Sequence, residues 1–451
     1  MKVTNRTPGP ARREFLKTAV AGAAGVLGFP AIVPPSALGA DGTTPPSDRI
    51  TVGCIGVGRM GGGHVRSFAG RREARVVAVC DVQETARKRA KNVVDRLYGD
   101  TACATYNDFR ELLERRDIDA LMFAPGERWT PIMGAEAARL GKHMYYEKPL
   151  ALTVEDAKAI REAVQRYGVV FQFGTQQRSS AYFRTACELV RNGKIGQLQK
   201  VVIGCSGPQP PSGPEKPTDP PPGFDWERWL GPSPWVPYSD LRVSVDWLAI
   251  YDYGLGCIGG VWGVHDIDIA QWVNNSDGTT PVAVEGAGKI YEDDIRDTIC
   301  TWDIEYTYAN GVKIHLMNRA AARERYRQYW GGGDGSLNGV ILLGTEGWIW
   351  VSREGIQTQP DSLLRAVIGP HDQRVIHSND HERNFLEAIR TGCPTISPIE
   401  AAAHDEMICQ MGDIAVRLKQ KLRWDPEKEE FADSAQANRR LSRPHRSPWS
   451  I

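Results

Sequence analysis

The sequence predicts an α/β protein whose N-terminal half forms a parallel sheet and whose C-terminal half is an α+β domain with a large, mostly antiparallel open sheet. Between residues 50 and 174, short apolar runs alternate with helical segments, a pattern typical of parallel strands covered by helices on both faces. Beyond Arg178 the runs become longer and alternate apolar with polar residues. An Asn310-Gly311 pair between two of them indicates a β-hairpin.

The first predicted strand ends in a glycine-rich turn. An apolar run over residues 50–55 leads into Gly56, Gly58 and Gly61, which have the GxGxxG spacing. In this pattern the first glycine allows a tight turn, the second lets the backbone approach a pyrophosphate, and the third lets helix and strand pack closely. The anion then lies at the helix N-terminus, beside Arg59 and Met60. The motif predicts a Rossmann domain that binds a dinucleotide.

The second predicted strand ends in an acidic residue. Asp81 follows the apolar run 75–80 and lies about 20 residues after the last glycine of the turn. An acidic side chain at this place accepts hydrogen bonds from the ribose hydroxyls of NAD, so Asp81 favours NAD over NADP. Two alternatives stay open. Arg59 can reach a 2′-phosphate, which would make NADP the cofactor, or Asp81 is a solvated residue after a fortuitous glycine turn.

The remaining elements follow in order along the chain. In the first domain we predict helices over 84–97, 132–140 and 154–167 and strands over 120–124, 143–146 and 169–174. In the second domain we predict helices over 182–192, 264–273, 381–390 and 399–422, strands over 198–204, 282–291, 299–308 and 312–317, and a hairpin of 339–343 with 348–352.

The first 40 residues are predicted to be an export signal. Residues 11–17, Ala-Arg-Arg-Glu-Phe-Leu-Lys, form a twin-arginine pattern that precedes a short apolar run and small residues suited to cleavage. The run is shorter than the roughly 20 residues of a membrane span, so no stable membrane anchor is expected. We therefore predict a twin-arginine signal peptide (1–40), a linker (41–48), an NAD-binding Rossmann domain (49–178) and a substrate-binding and oligomerisation domain (179–451), in a periplasmic protein.

Export in the folded state has a chemical consequence. The periplasm offers no evident pool of free nicotinamide, so the cofactor is expected to arrive bound and to stay bound. A retained cofactor must be regenerated in every cycle. Either a second substrate takes the hydride back, or the reaction is redox-neutral overall.

Composition narrows the class of ligand. The chain has 55 basic and 55 acidic residues and a formal net charge of +0, which argues against nucleic acid and favours a small molecule. Nine scattered cysteines without a CxxC or Cys/His pattern indicate buried thiols, such as Cys54, Cys80 and Cys409, and no metal site. The proline- and tryptophan-rich stretch 208–237 predicts an ordered insertion. Six of the 13 tryptophans fall between positions 226 and 272, and their rings suit either a sugar face or burial under a loop.

Several further motifs make the chain resemble the Gfo/Idh/MocA oxidoreductases, especially their twin-arginine-exported bacterial members. They are Glu147-Lys148-Pro149 at the end of a strand, Gly174-Thr175-Gln176-Gln177-Arg178, Gly263-Val264-His265-Asp266-Ile267-Asp268-Ile269-Ala270, and the ending Leu422-Arg423-Trp424-Asp425-Pro426 with Ser442-Arg443-Pro444. Members act mostly on sugars, polyols and their derivatives, with NAD or NADP in the Rossmann domain. The resemblance implies a sugar or glycoside as the partner molecule and a homo-oligomer formed through the C-terminal sheet.

Lys148 and His265 are the predicted catalytic residues. Removing hydride from a carbinol carbon requires that the hydroxyl proton be taken and that the developing alkoxide be stabilised. The resemblance places Lys148 as a positive donor beside the nicotinamide, with Pro149 fixing the turn that aims it. His265 is the candidate acid/base, because imidazole titrates nearest neutral pH. The alternative is a histidine satisfied inside its own helix.

Five further residues are predicted to bind substrate. Asp268 lies three residues after His265, on the same helical face, and either orients the imidazole or binds substrate. Close relatives carry an aspartate where this chain has Val261, and Asp266, Asp252 or Tyr251 are candidates to replace it, each of them equally plausible as a structural residue. Trp262 offers an apolar ring to a sugar. Arg178 either binds substrate oxygens or ties the domains together.

The cofactor-binding set also includes residues at the ends of two later strands. Ala124 and Pro125 follow the fourth strand, where the family's loop borders the nicotinamide ribose. In that loop Glu127-Arg128-Trp129-Thr130 replaces the family's usual Asp-His-Trp-His, so Trp129 is retained and the alternative histidine bases are absent. Glu147 and Lys148 complete the set.

These residues lead to three functional hypotheses. The first is an NAD-dependent oxidoreductase that acts on a sugar hydroxyl with a recycled cofactor. The second is an NAD-recycling glycosidase, in which oxidation, elimination, water addition and reduction follow one another. The third, motivated by Val261, is an inactive sugar-binding protein that has kept the fold.

Overall fold

The structure, a computed structural model, describes Pro45 and residues 48–207, 211–331 and 338–451. The predicted signal peptide, including the twin-arginine pattern, lies outside the described residues. Residues 50–451 form one compact unit that contains both sheets. Within the described part of the chain, no helix has the length and apolarity required to cross a membrane.

The first sheet has six parallel strands, in agreement with the predicted Rossmann domain. The strands are β1 (Ile50–Ile55), β2 (Ala74–Cys80), β3 (Ala104–Tyr106), β4 (Ala120–Phe123), β5 (His143–Tyr146) and β6 (Phe171–Phe173). Their order is β3-β2-β1-β4-β5-β6. The order reverses between β1 and β4, and the crevice at the carboxyl ends of strands at such a reversal is where open α/β sheets bind ligands.

Five helices connect these strands: α1 (Arg59–Ala69), α2 (Glu84–Tyr98), α3 (Phe109–Leu113), α4 (Thr130–Arg139) and α5 (Val154–Tyr167). Helix α5 shows how local sequence sets the boundaries. The hydroxyl of Thr153 accepts the Asp156 backbone N–H at 3.1 Å, and Gly168 ends the helix with φ of 64°.

The second sheet has nine strands, which agrees with the predicted large open sheet. They are β7 (Leu198–Cys205), β8 (Ala283–Ile290), β9 (Ile299–Thr307), β10 (Lys313–Asn318), β11 (Gly339–Gly344), β12 (Trp348–Val351), β13 (Ile356–Gln359), β14 (Leu422–Asp425) and β15 (Glu430–Phe431). The order is β13-β12-β11-β7-β10-β9-β8-β14-β15, and every neighbouring pair is antiparallel except β7 with β10. The hairpin at Asn310-Gly311 and the hairpin of β11 with β12 are both confirmed.

The helices of the second domain are α6 (Ala181–Arg191), α7 (Trp226–Leu230), α8 (Asp240–Val243), α9 (Gly263–Val273), α10 (Arg319–Arg325), α11 (His381–Thr391), α12 (Ile399–Leu418) and α13 (Ala435–Asn438), with a π-helix at Cys257–Val261 before α9. Helices α9 and α12 are buried along almost their whole length. Helix α12 packs against α5 of the first domain and against α9 and β8 of the second, so it joins the two sheets.

One predicted boundary was wrong. The helix beginning at residue 399 was expected to reach Leu422, but it ends at Leu418. Lys419 adopts the left-handed conformation (φ 53°), and Leu422 instead begins β14, where it pairs with Val284 of β8. Pairing with a sheet edge therefore overrides the apolar periodicity that continued through these residues.

The proline- and tryptophan-rich insertion is ordered over the residues that the structure describes. Its residues 222–231, here called the strap, run across the carboxyl edge of the first sheet. The Gly223 carbonyl accepts the Glu84 N–H at 2.9 Å, and the Asp225 N–H donates to the Val82 carbonyl at 3.0 Å. Asn107 Nδ2 donates to Asp225 Oδ2 at 2.8 Å. The insertion therefore covers the first domain beside Asp81.

Candidate active site

The glycine turn has the geometry that a pyrophosphate requires. Gly56 has φ of 76°, and a Cβ there would collide with the backbone of Ala124; a Cβ at Gly61 would collide with the Gly56 carbonyl. A Cβ at Gly58, in contrast, would meet no atom within 4 Å. Helix α1 then begins without a side-chain cap and without an acidic residue in its first turn. No side chain therefore caps the backbone N–H groups of its first turn, which leaves them available to the phosphates of a dinucleotide.

Asp81 is held at the edge of this turn. Its Oδ2 accepts the Val57 N–H at 2.9 Å and its Oδ1 accepts the Gln83 N–H at 2.9 Å. Burial raises the pKa of Asp81, against these two hydrogen bonds and the charge of Arg87. Arg59 and Met60 are exposed at the start of α1. The predicted cofactor residues Ala124 and Pro125 lie against Gly56, so the structure brings both parts of the predicted site together.

Lys148 reaches from the end of β5 to the segment that precedes α9. The Lys148–Pro149 peptide is cis. Lys148 Nζ donates to the Gly260 carbonyl at 2.9 Å and lies 3.5 Å from the Val261 carbonyl. Burial lowers the pKa of Lys148, whereas the charge of Glu147 raises it. The ammonium group is therefore anchored on the segment that leads into α9, the helix that carries His265.

His265 is a buried imidazole with an unused ring nitrogen. The residue is 4% exposed, and Nδ1 has no hydrogen-bond partner among the described residues. Burial lowers the pKa of His265 well below its usual value, and the charges of Lys148 and Arg353 lower it further. The ring is therefore neutral near pH 7, in the form that can accept a proton.

Asp266 and Trp262 lie beside His265 and meet two residues that the sequence analysis did not assign. Gln177 Nε2 donates to Asp266 Oδ1 at 3.0 Å, and Gln177 Oε1 lies 3.3 Å from the Arg353 guanidinium. Arg353 also lies 4.7 Å from the centre of the Trp262 ring. Burial raises the pKa of Asp266 to about 6. Gln177 could have been found from its motif, but Arg353 follows a hairpin strand and carries no local signal.

Arg178 and Asp268, predicted to bind substrate, belong to an internal ion-pair network. Arg178 is 1% exposed, and its Nε donates to both carboxylate oxygens of Asp268 at 2.8 and 2.9 Å. Its two terminal nitrogens donate to Asp277, each at 2.9 Å. Nη1 also donates to the Ile396 carbonyl at 3.3 Å and Nη2 lies 2.8 Å from Asp268 Oδ1, so all five N–H groups are engaged and Arg178 has no donor left for a substrate. The arrangement matches the structural alternative for this residue.

Tyr251 is likewise enclosed. Its ring lies between the guanidinium groups of Arg417 and Arg443, at 3.6 and 3.7 Å from the ring centre. Arg443 also donates to the Tyr251 carbonyl at 2.6 Å. The structure therefore uses Tyr251 to fix the C-terminal tail, and the neighbouring Asp252 is exposed to solvent.

Glu147 anchors α1 and does not point to solvent. Its Oε1 accepts hydrogen bonds from His64 Nε2 at 2.8 Å and Gln176 Nε2 at 2.6 Å. The other nitrogen of His64 lies 2.7 Å from Glu382 Oε1 on α11. Burial alone would lower the pKa of His64, but its two carboxylate partners raise it to about 9. A charged imidazole therefore joins the nucleotide-binding helix α1 to the second domain.

Trp129 packs under the strap. Its Nε1 donates to the Arg228 carbonyl at 2.7 Å, and its ring makes edge contacts with Phe109 and Trp449 at 5.4 and 4.6 Å. Arg128 donates to the Trp229 carbonyl and lies 3.9 Å from the Trp229 ring. Within the insertion, Trp226 and Trp229 stack on each other at 4.9 Å and serve packing, whereas Trp262, which follows the insertion in the chain, lies at the candidate site.

Comparison with known proteins agrees with this geometry. Residues 50–175 match the family model described as "Oxidoreductase family, NAD-binding Rossmann fold", and residues 213–362 and 368–451 match "Oxidoreductase family, C-terminal alpha/beta domain", both of the Gfo/Idh/MocA group. The chain belongs to the Gfo/Idh/MocA oxidoreductase family. The resemblance in the sequence is thereby confirmed at the level of the family.

Individual relatives of this Gfo/Idh/MocA member differ in their described activities. An uncharacterized oxidoreductase YrbE of Bacillus subtilis is 30% identical over 284 residues, 62% of this chain and 70% of that protein. A glycosyl hydrolase family 109 protein of Shewanella baltica is 32% identical over 169 residues, 34% of this chain and only 37% of its own length. The crystal structure of aldose-aldose oxidoreductase from Caulobacter crescentus has the same fold, with a TM-score of 0.59, 18% identity and coverage of 83% of this chain and 99% of that one.

Proposed function

We propose that this protein is a periplasmic, NAD-dependent oxidoreductase that acts on a hydroxyl of a sugar or sugar derivative and keeps its cofactor bound between cycles. One observation carries the proposal. Lys148 Nζ is anchored on the Gly260 carbonyl, in the segment that leads into α9, and its charge acts on the imidazole of His265 near the start of that helix. An ammonium donor and a neutral base at one site are what oxidation of an alcohol requires.

Lys148 and His265 have separate roles in the proposed reaction. NAD, held by the glycine turn and Asp81, would supply a reversible acceptor for the hydride of the carbinol carbon. Lys148 Nζ stabilises the developing negative charge on the substrate oxygen. A ring nitrogen of His265 takes the hydroxyl proton as the hydride leaves. Because burial and the charges of Lys148 and Arg353 disfavour the imidazolium, His265 readily returns the proton when the hydride comes back.

Cofactor choice and retention rest on separate observations. Asp81, fixed by two backbone N–H groups, supports NAD because its carboxylate would repel a 2′-phosphate. Retention is supported by the strap, which is hydrogen-bonded to residues 82, 84 and 107 next to Asp81, the residue that would hold the adenosine ribose. A dinucleotide leaving from this edge would have to break those bonds.

A redox-neutral glycosidase is the second candidate. The similarity to a glycosyl hydrolase family 109 protein favours it, as does the ease with which His265 returns a proton. In this cycle, oxidation of a ring hydroxyl acidifies the neighbouring C–H, the leaving group is eliminated, water adds, and the hydride returns to the sugar. The net change is hydrolysis of the glycosidic bond.

One experiment separates the candidates. Purified protein with its own nucleotide is given single sugars and chromogenic glycosides while the absorbance of reduced nicotinamide and the release of aglycone are recorded. Reduced nicotinamide that accumulates with a lone sugar supports the oxidoreductase, and aglycone release without net reduction supports the glycosidase. Lys148→Met should abolish either signal, whereas Lys158→Met, at a surface lysine paired with Glu155, should not. Sugar binding without either signal would contradict both and indicate an inactive binding protein.

A further inference from the structure

A buried carboxyl group beside Lys148 has no role in the chemistry described above. Glu127 is 0% exposed and lies in the loop between β4 and α4. Its Oε2 accepts the Leu255 N–H at 3.3 Å. Its Oε1 is buried and has no hydrogen-bond partner among the residues that the structure describes. An unpaired buried carboxyl oxygen costs free energy, so its retention calls for an explanation.

Glu127 and Lys148 approach the same stretch of backbone. The Gly260 carbonyl accepts the hydrogen bond from Lys148 Nζ at 2.9 Å. A Cβ on Gly260 would lie 2.8 Å from Glu127 Oε1, and a Cβ on Gly254 would lie 3.1 Å from the same oxygen. The absence of side chains at these two glycines creates the space that the carboxyl group occupies. The local sequence therefore admits Glu127 next to the anchor of Lys148.

The two groups influence each other's protonation. Burial raises the pKa of Glu127 well above its usual value and Glu406 adds to the rise, whereas the charge of Lys148 lowers it. Burial lowers the pKa of Lys148, and Glu127 is one of two carboxylates that raise it. The groups that act on Lys148 are Glu147, Glu127, Arg353 and Cys257, and those that act on Glu127 are Glu406, Lys148 and Arg443.

These carboxylates are not equivalent. Glu147 is already paired with His64 and Gln176, so its charge is largely compensated. Glu127 Oε1 has no such partner among the described residues and is free to respond to the ammonium group. A protonated Glu127 exerts no charge attraction on Lys148, so the two groups attract each other only once the Glu127 carboxyl ionises as the pH rises, and the ionised form then opposes the loss of the Lys148 proton.

We propose that Glu127 is a positioning residue that keeps Lys148 protonated at the candidate active site. It does so without touching the substrate, since its side chain is wholly enclosed. Its consequence for catalysis rests on the proposed function, but the link between the two side chains is a property of this chain alone and can be measured without a substrate.

The test is the pKa of Lys148 in the full-length protein. Lysines are reductively methylated with ¹³C-formaldehyde, and the Lys148 resonance is assigned by its loss in Lys148→Arg. Glu127→Gln keeps the shape and the acceptor for the Leu255 N–H but removes the acidic group. We expect this variant to lower the Lys148 pKa by about one unit, a roughly tenfold change in its proton affinity.

Asp413→Asn is the matched control. It removes a buried carboxyl that is paired with Arg417 and is not among the groups that act on Lys148 or on Glu127, so the Lys148 pKa should move far less. If Glu127→Gln does not fold, the titration curve of Lys148 in the unsubstituted protein still tests the proposal. Its Lys148 resonance should show a second inflection from the titration of Glu127. A single Lys148 titration in the unsubstituted protein, or an identical pKa in Glu127→Gln, would overturn the proposal.

Once a substrate is known, the pH dependence of activity provides an independent test. The limb of the kcat–pH profile that reports Lys148 should shift in Glu127→Gln in the direction and by the amount seen for the resonance, and Glu127→Asp should partly restore it. If no sugar is turned over but the Lys148 pKa shifts, the proposed function fails and the positioning role stands. If turnover occurs but neither the resonance nor the profile moves, the positioning role fails alone.

Discussion

Replacing Gly58 by alanine should weaken dinucleotide binding without unfolding the protein. Gly58 has a negative φ of −66°, and a Cβ there would meet no protein atom within 4 Å. Since no atom of the described residues is in its way, the methyl would occupy the space proposed for the pyrophosphate at the N-terminus of α1. A backbone hydrogen bond to a charged oxygen contributes about 1.5–3 kcal/mol, so losing one should raise the Kd for NAD roughly 10- to 100-fold.

Gly63→Ala provides the matched control. Gly63 lies on the same helix, and its Cβ would also meet no atom within 4 Å, but it is one turn away from the anion site. Alanine is favoured over glycine in a helix interior by about 0.5–1 kcal/mol, so Gly63→Ala should fold slightly more stably and bind NAD normally.

Titration calorimetry on nucleotide-free protein measures both Kd values, and circular dichroism reports folding. Equal affinity for NAD in Gly58→Ala and Gly63→Ala, with both variants folded, would refute the placement of the pyrophosphate.

Three further predictions follow from the same structure. Asp81→Asn should raise the affinity for NADP relative to NAD by about tenfold, because repulsion of the 2′-phosphate is removed while Arg59 remains, and calorimetry with both nucleotides checks this. His64, with a pKa raised from 6.5 to about 9, should contribute at most about 3 kcal/mol of stability that is fully present below pH 6.5 and lost as the pH rises through about 9. The difference in unfolding free energy between wild type and His64→Gln, from urea titrations across this range, should therefore shrink as the pH rises, and a constant difference would argue against a charged His64. Cys393 is the one exposed thiol of the nine cysteines, all of which are described, so a thiol reagent should modify a single site quickly in the native protein; rapid modification of a second thiol would show that the core is open.

Local sequence signals were sufficient to predict the parallel sheet and the glycine turn. The turn from Gly56 to Gly61 depends on contacts among residues close in the chain and on the adjacent strand β4, so its spacing alone identifies it. The end of β5 at Lys148 was predictable for the same reason. The strand boundaries of the second sheet, in contrast, depend on pairing between distant segments, as the wrong end of α12 shows.

The roles of charged residues could not be read from their motifs. Arg178 and Asp268 belong to recognisable motifs, yet they pair with each other and with Asp277, which comes from elsewhere in the chain. His64 bonds to Glu147 and Glu382, and the second of these is 318 residues away. Whether a charged group faces a substrate or an internal partner is decided by tertiary packing, which local sequence does not encode.

The tryptophans between positions 226 and 272 illustrate the same point. They were compatible with sugar binding or with burial, and the structure distinguishes them by position. Trp229 stacks on Trp226 and packs against Arg128, whereas Trp262 lies against Arg353 beside His265. Substrate contacts are therefore to be sought around Trp262.

The central claim is that the glycine turn, Lys148 and His265 together serve a resident nicotinamide. Its most direct test is to denature the purified protein, before and after incubation with a panel of glycosides, and to identify the nucleotide released and its redox state. We predict NAD in an amount close to that of the protein chain, and a change of redox state or release of aglycone that Lys148→Met abolishes. Protein that is folded but releases no dinucleotide, and takes up none when NAD is added, would contradict the account.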